Sequence, residues 1–218
     1  MKHKDFDCVE MKREGARKVY EATKGMTVEE EVAYWQERTK AARLSLAARS
    51  AQSKADVSGR NSTMNRPIRV YTDTSVFGGV FDPEFASASR AFFERARKGL
   101  VEVVISPLVP EELTKAPQNV IALFEEHRPL LSLVAVSDDA DYLHEAYLQA
   151  GVVSRKSDTD ALHVAVATVS DCRAIVSWNF RHIVNFRRIP LYNGVNQMQG
   201  YGPIAIHTPA EVVFDEED

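Results

Sequence analysis

Cysteine is scarce in this chain: Cys8 and Cys172 are the only two among 218 residues. They lie far apart and fit no metal-ligand spacing. That argues against a disulfide-stapled secreted scaffold and for a reducing compartment. Long apolar runs are missing as well. None approaches the ~18 residues that a membrane span requires. The first residues, Met1-Lys2-His3-Lys4-Asp5, contain no apolar leader core. The expectation is a cytoplasmic chain without a membrane partner. A basic excess is also absent, since 27 Lys and Arg stand against 31 Asp and Glu, net −4. Bulk charge therefore does not hold nucleic acid here, although an enzyme meeting RNA at one local site stays open. No Gly-rich phosphate loop follows an apolar run, so dinucleotide and P-loop readings are poor. There is no internal repeat and no low-complexity tract.

What is present is a globular balance. Hydrophobic residues are 44% and charged residues 27%, enough to build a core. Composition divides the chain in three: a helical segment at 1–46, a small and polar linker or fraying helix tail at 47–65, and a larger domain at 66–218. Met64 stands just before the larger domain, where a separate chain could once have started. Residues 1–60 carry 13 basic and 10 acidic side chains, net +3, and the remainder is net −7. Opposite charge suggests that the two parts touch.

The first part reads as two helices. Val9, Ala16, Val19 and Tyr20 share one face, and Gly25 ends the helix. Thr27 and Glu30 form a capping box that opens the second helix. There, Val28, Val32, Trp35, Thr39, Ala42 and Leu46 recur at spacings of four and three. Two such helices cannot bury Tyr34 and Trp35 between themselves, so they lie on something else. The second part alternates. Strands are expected at 68–72, 101–106, 131–136, 174–177, 189–192 and 204–207. Helices are expected at 87–98, 108–115, 120–127, 138–150 and 158–169. Tyr142, Leu143, Ala146 and Tyr147 are the expected inward face of the fourth of these. The pattern implies an α/β, three-layer fold with a central, mainly parallel sheet, preceded by a two-helix segment.

In such sheets the site lies beyond the carboxyl ends of the strands. Asp73, Thr74 and Ser75 follow the first strand. Glu111 and Glu112 follow the second, on the next helix. Asp158 and Asp160 open the helix before the fourth strand, and Trp178-Asn179 follow that strand. Each also has a local reading. Asp73 caps a turn, Glu111 and Glu112 are solvated first-turn acids, Asp158 is an N-cap, and Asn179 is a turn residue. Asp160, at the mouth of the apolar run 161–167, is harder to dismiss. Clustered carboxylates repel, and a hard divalent cation such as Mg²⁺ or Mn²⁺ resolves that repulsion with oxygen ligands. Such a site suits phosphoryl displacement.

Residues 67–193 resemble the PIN domain, and within it the toxin (VapC-like) ribonucleases of bacterial toxin–antitoxin pairs. The stretches that carry the resemblance are YTDTSVFGG (71–79), ISPLVPEEL (105–113), SDTDALHVAVA (157–167) and VSWNFRHIVN (176–185). FDCVEMK (6–12) and KGMTVEEEVAYWQERT (24–39) resemble the short antitoxin of such a pair, so the chain looks like an antitoxin and a toxin joined. The resemblance implies a PIN-like, Rossmannoid fold and a Mg²⁺- or Mn²⁺-dependent endoribonuclease acting on tRNA, rRNA or mRNA. It maps catalytic and metal-holding roles to Asp73, Glu112 and Asp160. A fourth catalytic position falls at Asn179, where the wider family has Asp; this departure removes one negative charge. Ser75 and Asp158 are candidates for support. Arg181 and His182 are candidates for RNA contact, and Arg187 and Arg188, with Asn185, for a further basic track. Trp178 either stacks a base or fills the core, and His163 reads as a core histidine. The resemblance also implies a homodimer.

The expected control runs through the second helix. Its Val28/Val32/Trp35 stripe would lie in a groove, and Lys40, Arg43 or Arg49 beyond it would reach the carboxylates, within one chain or swapped onto a neighbour. The two helices leave no residues for an operator-DNA-binding unit. Two other readings compete. A haloacid-dehalogenase-type phosphatase needs a second Asp two positions after the first, where Ser75 stands. A non-catalytic PIN-like module binding RNA or protein is kept open by Asn179.

Overall fold

The computed structural model describes residues 6–53 and 67–212, with side chains described over 6–45 and 67–212. Five strands form one sheet: β1 (Ile68–Thr72), β2 (Val101–Ile105), β3 (Leu131–Leu133), β4 (Ala174–Val176) and β5 (Ala205–His207). Their order is β3-β2-β1-β4-β5, and every pair is parallel. Tyr71 sits level with Val104 on one side and Ile175 on the other. Strands this short and β-branched, buried on both faces, suit the centre of a parallel sheet.

Alternation along the strands feeds two cores. Val70, Val103, Ile105, Ala174 and Val176 face one layer of helices: α3 (Thr74–Gly79), α4 (Ala86–Arg97), α5 (Leu108–Leu113) and α6 (Gln118–His127). Tyr71, Val104, Ile175 and Ile206 face the other: α7 (Asp138–Gln149), α8 (Asp158–Val169) and α9 (Ile189–Met198). This is a three-layer, Rossmann-like α/β arrangement.

Two helices precede the sheet. Asp7 caps α1 (Cys8–Thr23) by accepting from the Val9 and Glu10 backbone N–H groups. Gly25 then turns the chain at φ +85°, a conformation that costs glycine little. Thr27 and Glu30 form a reciprocal capping box, at 2.8 Å and 3.3 Å, that opens α2 (Val28–Ser53). Trp35 is fully buried, in the same apolar cluster as Leu143 and Tyr147 of α7, and Thr39 is buried one turn on. Burying one such indole contributes on the order of 2–3 kcal/mol. Val28, by contrast, is exposed. α2 packs on α7 and on the single turn 128–130, whereas α1 packs on α3, α5 and α8.

The structure departs from the sequence-based reading at three places. Residues 189–192 are the first turn of α9, not a strand. Pro190 occupies the helix start, where its missing N–H is not needed. Residues 74–79 form a helix that Gly78 and Gly79 hid from propensity. In α7, Tyr142 is 68% exposed and Asp141 and His144 are buried instead. At the start of the 47–65 segment, expected as a linker or a helix tail, α2 continues to Ser53; residues 54–66 lie outside the described residues.

Candidate functional site

The strand order reverses between β1 and β4, and the crevice beyond their carboxyl ends is where such sheets place ligands. Asp73 leaves β1 there as the N-cap of α3. Its Oδ1 accepts from Ser75 N–H (3.2 Å) and Ser75 Oγ (2.6 Å), and its Oδ2 from Ser177 Oγ (2.9 Å). Ser75 Oγ also accepts from the Trp178 N–H at 2.9 Å, which ties the ends of β1 and β4 together. Glu112 comes from α5 behind β2. Thr74 Oγ1 donates to its Oε2, and His163 Nε2 lies 3.2 Å from its Oε1. His163 Nδ1 lies 2.8 Å from Tyr71 OH, which in turn lies 2.7 Å from Ser106 Oγ. Asp160, in the first turn of α8, takes Asn179 Nδ2–H on Oδ1 at 2.9 Å. Asn179 is held in turn, its Oδ1 accepting from the His182 N–H at 3.1 Å.

One cation answers all three acids. Lys12, from the middle of α1, is only 1% exposed, and its Nζ stands 2.6 Å from Asp160, 3.4 Å from Glu112 and 3.9 Å from Asp73. Burial by itself lowers a lysine's pKa; Asp160, Glu112 and Asp73 outweigh it and hold Lys12 above the ordinary value. Burial likewise pushes against the charged form of Glu112. Lys12, His163 and the bonds from His163 and Thr74 overcome it and bring Glu112 down to about 2. For Asp73 burial wins: it stays above the ordinary aspartate value despite Lys12, His163 and Ser75. Glu112 gains the bonds from His163 and Thr74, whereas Asp73 is pushed up further by the charge of Glu112 beside it.

The fit of α1 over this edge depends on two close approaches. A Cβ on Gly15 would stand 2.5 Å from the Glu112 carbonyl oxygen and 2.9 Å from its Cα. A Cβ on Gly78 in α3 would stand 2.8 Å from Cys8 Cβ. The buried stripe of α1 is therefore Cys8, Lys12, Gly15, Val19 and Thr23. Glycine inside a helix costs about 1 kcal/mol against alanine; here it lets the backbone of α1 reach the residue that holds the lysine.

The structure thus brings Asp73, Glu112, Asp160, Asn179 and Ser75 together. It does not bring Lys40 or Arg43 to them: both side chains are exposed on α2. The Arg49 side chain lies outside the described residues. The cation expected from α2 comes from α1, which packs closely against α3, α5 and α8, whereas α2 reaches α5 at its solvent side, through Arg38 and Glu111. Asp158 accepts from Thr159 N–H at 2.6 Å and Thr159 Oγ1 at 3.3 Å, and burial pushes it up to about 6. The N-cap position of α8 is Ser157. Arg181 is exposed, and His182 is half-buried with Nε2 3.2 Å from Ser157 Oγ. Arg187 is exposed, whereas Arg188 donates to the Val152 carbonyl. Trp178 is buried, stacked on Phe85 at 4.3 Å and donating to Ser89 Oγ, so its ring belongs to the core. Sequence reasoning named Thr74 at this edge and read His163 as a core histidine, which it is, but it missed Lys12 and the bonds that Thr74 and His163 make to Glu112. The signal for Lys12 was its place within FDCVEMK.

Among the described residues, no three His, Cys, Asp or Glu side chains are set as a formed metal site. The donor set nevertheless fits a hard divalent cation. It is made of carboxylate oxygens from three elements, and the Lys12 ammonium stands among them as their common cation. No family model, no curated protein and no solved structure matches this chain. Its class rests on its own geometry: a parallel α/β sheet with an acidic site at its switch point, covered by a helix that carries a lysine. No described helix is long and apolar enough to cross a membrane.

Proposed function

We propose that this chain is a PIN-like, metal-dependent endoribonuclease held off by its own N-terminal helix. The observation that carries the reading is the convergence of Asp73, Glu112 and Asp160 on one buried ammonium at the carboxyl edge of the sheet. Three buried acids in one place need a cation, and a lysine from outside the sheet is a replaceable one. With Lys12 withdrawn, these three would hold Mg²⁺ or Mn²⁺, with Asn179 completing the shell. The metal would supply an activated water and offset the charge of a phosphodiester. The chain's own part is orientation. Ser75 and Ser177 fix both oxygens of Asp73. Thr74 and His163 fix Glu112, and Asn179 fixes Asp160. Arg181 and His182, just past Asn179, lie where RNA phosphate would approach. The resemblance to toxin–antitoxin pairs supports a cytoplasmic, homodimeric toxin whose antitoxin segment acts in cis or by exchange between copies.

The test is cleavage of an RNA pool in Mn²⁺ by the native full chain, by Lys12→Gln, and by Lys12→Gln combined with Asp160→Asn. The reading expects the single variant to cut and the native chain to be slower. The double variant should be slower than the single by at least about 100-fold. No cleavage by a folded Lys12→Gln chain would contradict it. The complete burial of Lys12 favours one second reading, a non-catalytic RNA- or protein-binding module whose acids serve only to seat α1. In that case Lys12→Gln would neither cut RNA nor take up Mn²⁺.

A further inference from the structure

A cavity of about 350 Å³ opens beside the plugged site, between α1 and the turn that leads into α8. Its volume falls at the small end of ligand pockets, which run from about 300 to 1,000 Å³. One wall is α1, with Arg13, Arg17 and Tyr20; the other carries Lys156, Asp160 and His182. The acids nearby are already answered. Asp160 is paired with Lys12 and takes the Asn179 amide, and Glu21 is paired with Lys24. The cations are not all answered. Arg13 bonds Glu10 at 3.0 Å, but Arg17 and Lys156, one on each wall, have no ion pair or hydrogen bond among the described residues. The Nδ1 of His182 is buried without a partner among the described residues. Guanidinium groups beside an ammonium and an aromatic ring are the chemistry that takes a phosphate with a base attached.

We infer that this cavity binds the phosphate of a nucleotide, and that the ligand fastens α1 over the site by bridging its two walls. A ligand that touches both walls binds the docked state and not the undocked one. Docking then strengthens by the factor 1 + [L]/Kd, about 100-fold at 100 times its Kd. The inhibited chain would therefore be reinforced, and not opened, by a nucleotide or by the phosphorylated end of an RNA. The inference needs the docked geometry alone and does not depend on whether the chain cuts RNA.

Equilibrium dialysis of the native full chain against 5′-AMP, inorganic phosphate, adenosine and a 5′-phosphorylated diadenylate tests it. AMP is expected to bind once per chain, phosphate to compete, and adenosine to bind at least 10-fold more weakly. Arg17→Gln and Lys156→Gln, both exposed positions that leave the fold intact, should each weaken AMP about 10-fold. Hydrogen exchange of the α1 amides should slow when AMP is present. Tighter binding of the diadenylate than of AMP supports an RNA end as the source; the reverse supports a free nucleotide. Equal binding of adenosine and AMP would overturn the phosphate assignment. An Arg17→Gln chain with unchanged affinity, or faster exchange in α1, would overturn the bridging role. None of these readouts involves cleavage, so they stand or fall apart from the nuclease reading.

Discussion

At the scale of single residues, Lys12 is the cation on which the buried acids depend. Removing one member of a buried charge cluster leaves the others uncompensated, at a cost of about 3–5 kcal/mol. Lys12→Met is expected to lose stability of that order in urea denaturation without metal, and to recover part of it in millimolar Mn²⁺. Recovery would show that the carboxylates accept either cation; stability unmoved by the ion would argue for a purely structural lysine. Asn179→Asp probes the same balance from the other side. It removes the amide donor 2.9 Å from Asp160 and sets a like charge there. The variant should be about 1–3 kcal/mol less stable without metal, with a smaller deficit in Mn²⁺. A deficit unchanged by Mn²⁺ would place position 179 outside any metal shell.

Asp141 invites a pH experiment. It is 5% exposed, and neither carboxylate oxygen has a hydrogen-bond partner among the described residues. Burial, with Glu31 of α2 and Asp138 beside it, pushes it up to about 7. Burial raises Glu31 as well, and Asp158 to about 6. A carboxyl whose folded pKa lies above its unfolded value favours the folded state most when protonated. This contribution is full below about pH 4 and is lost as pH rises through about 7. Asp141→Asn should therefore flatten the fall in stability between pH 4 and 7. It should also leave the chain more stable at pH 8, on the order of 2 kcal/mol. A Tm profile identical to the native one would refute the assignment of that titration to Asp141.

At the scale of elements, the close seat of α1 makes a sign test. In an exposed helix Gly→Ala gains about 1 kcal/mol. At Gly15 the new methyl would meet Glu112 backbone at 2.5 Å, and overpacking of that kind costs about 1–3 kcal/mol. Gly15→Ala is expected to destabilise the chain and to speed hydrogen exchange in α1 while β1 and β4 keep their protection. A gain in stability would mean that α1 does not rest on α5 as closely as described.

This helix is also where sequence reasoning stopped. β1, β2 and β4 are legible as β-branched runs, and the acids after them as residues of one edge. The buried stripe of α1 is not legible, because Lys12, Gly15 and Thr23 carry no hydrophobic period, and a lysine on a helix ordinarily reads as solvated. The expected face of Val9, Ala16, Val19 and Tyr20 overlaps the edge of the true one: Val19 is buried, and Val9, Ala16 and Tyr20 are half-buried. α9 was misread because Ile-Pro-Leu-Tyr satisfies strand propensity until Pro190 is placed at a helix start. α3 was missed because its sequence ends in two glycines, and it forms where Asp73 caps it in a fully buried position.

At the scale of the whole molecule, the two N-terminal helices pack directly on the domain that carries the acidic site. α1 closes the carboxyl edge of the sheet. α2 inserts Trp35 into the core shared with α7 and sets Arg38 against Glu111 at 2.9 Å. The net charges of the two parts, +3 and −7 on dividing the sequence at residue 60, agree with that docking. The most specific of these charges is buried at Lys12, out of reach of salt screening. On the proposed reading, a divalent cation would answer to the same three carboxylates as the Lys12 ammonium, so metal binding and α1 docking would oppose each other.

The most direct measurement is calorimetric titration of Mn²⁺ into the native full chain and into the Lys12→Gln full chain, side by side at pH 7. The account expects the variant to bind Mn²⁺ at least 10-fold more tightly than the native chain, with the gain abolished by adding Asp160→Asn. Equal affinity in a folded native chain and a folded Lys12→Gln chain would contradict the claim that Lys12 occupies the place of a metal ion.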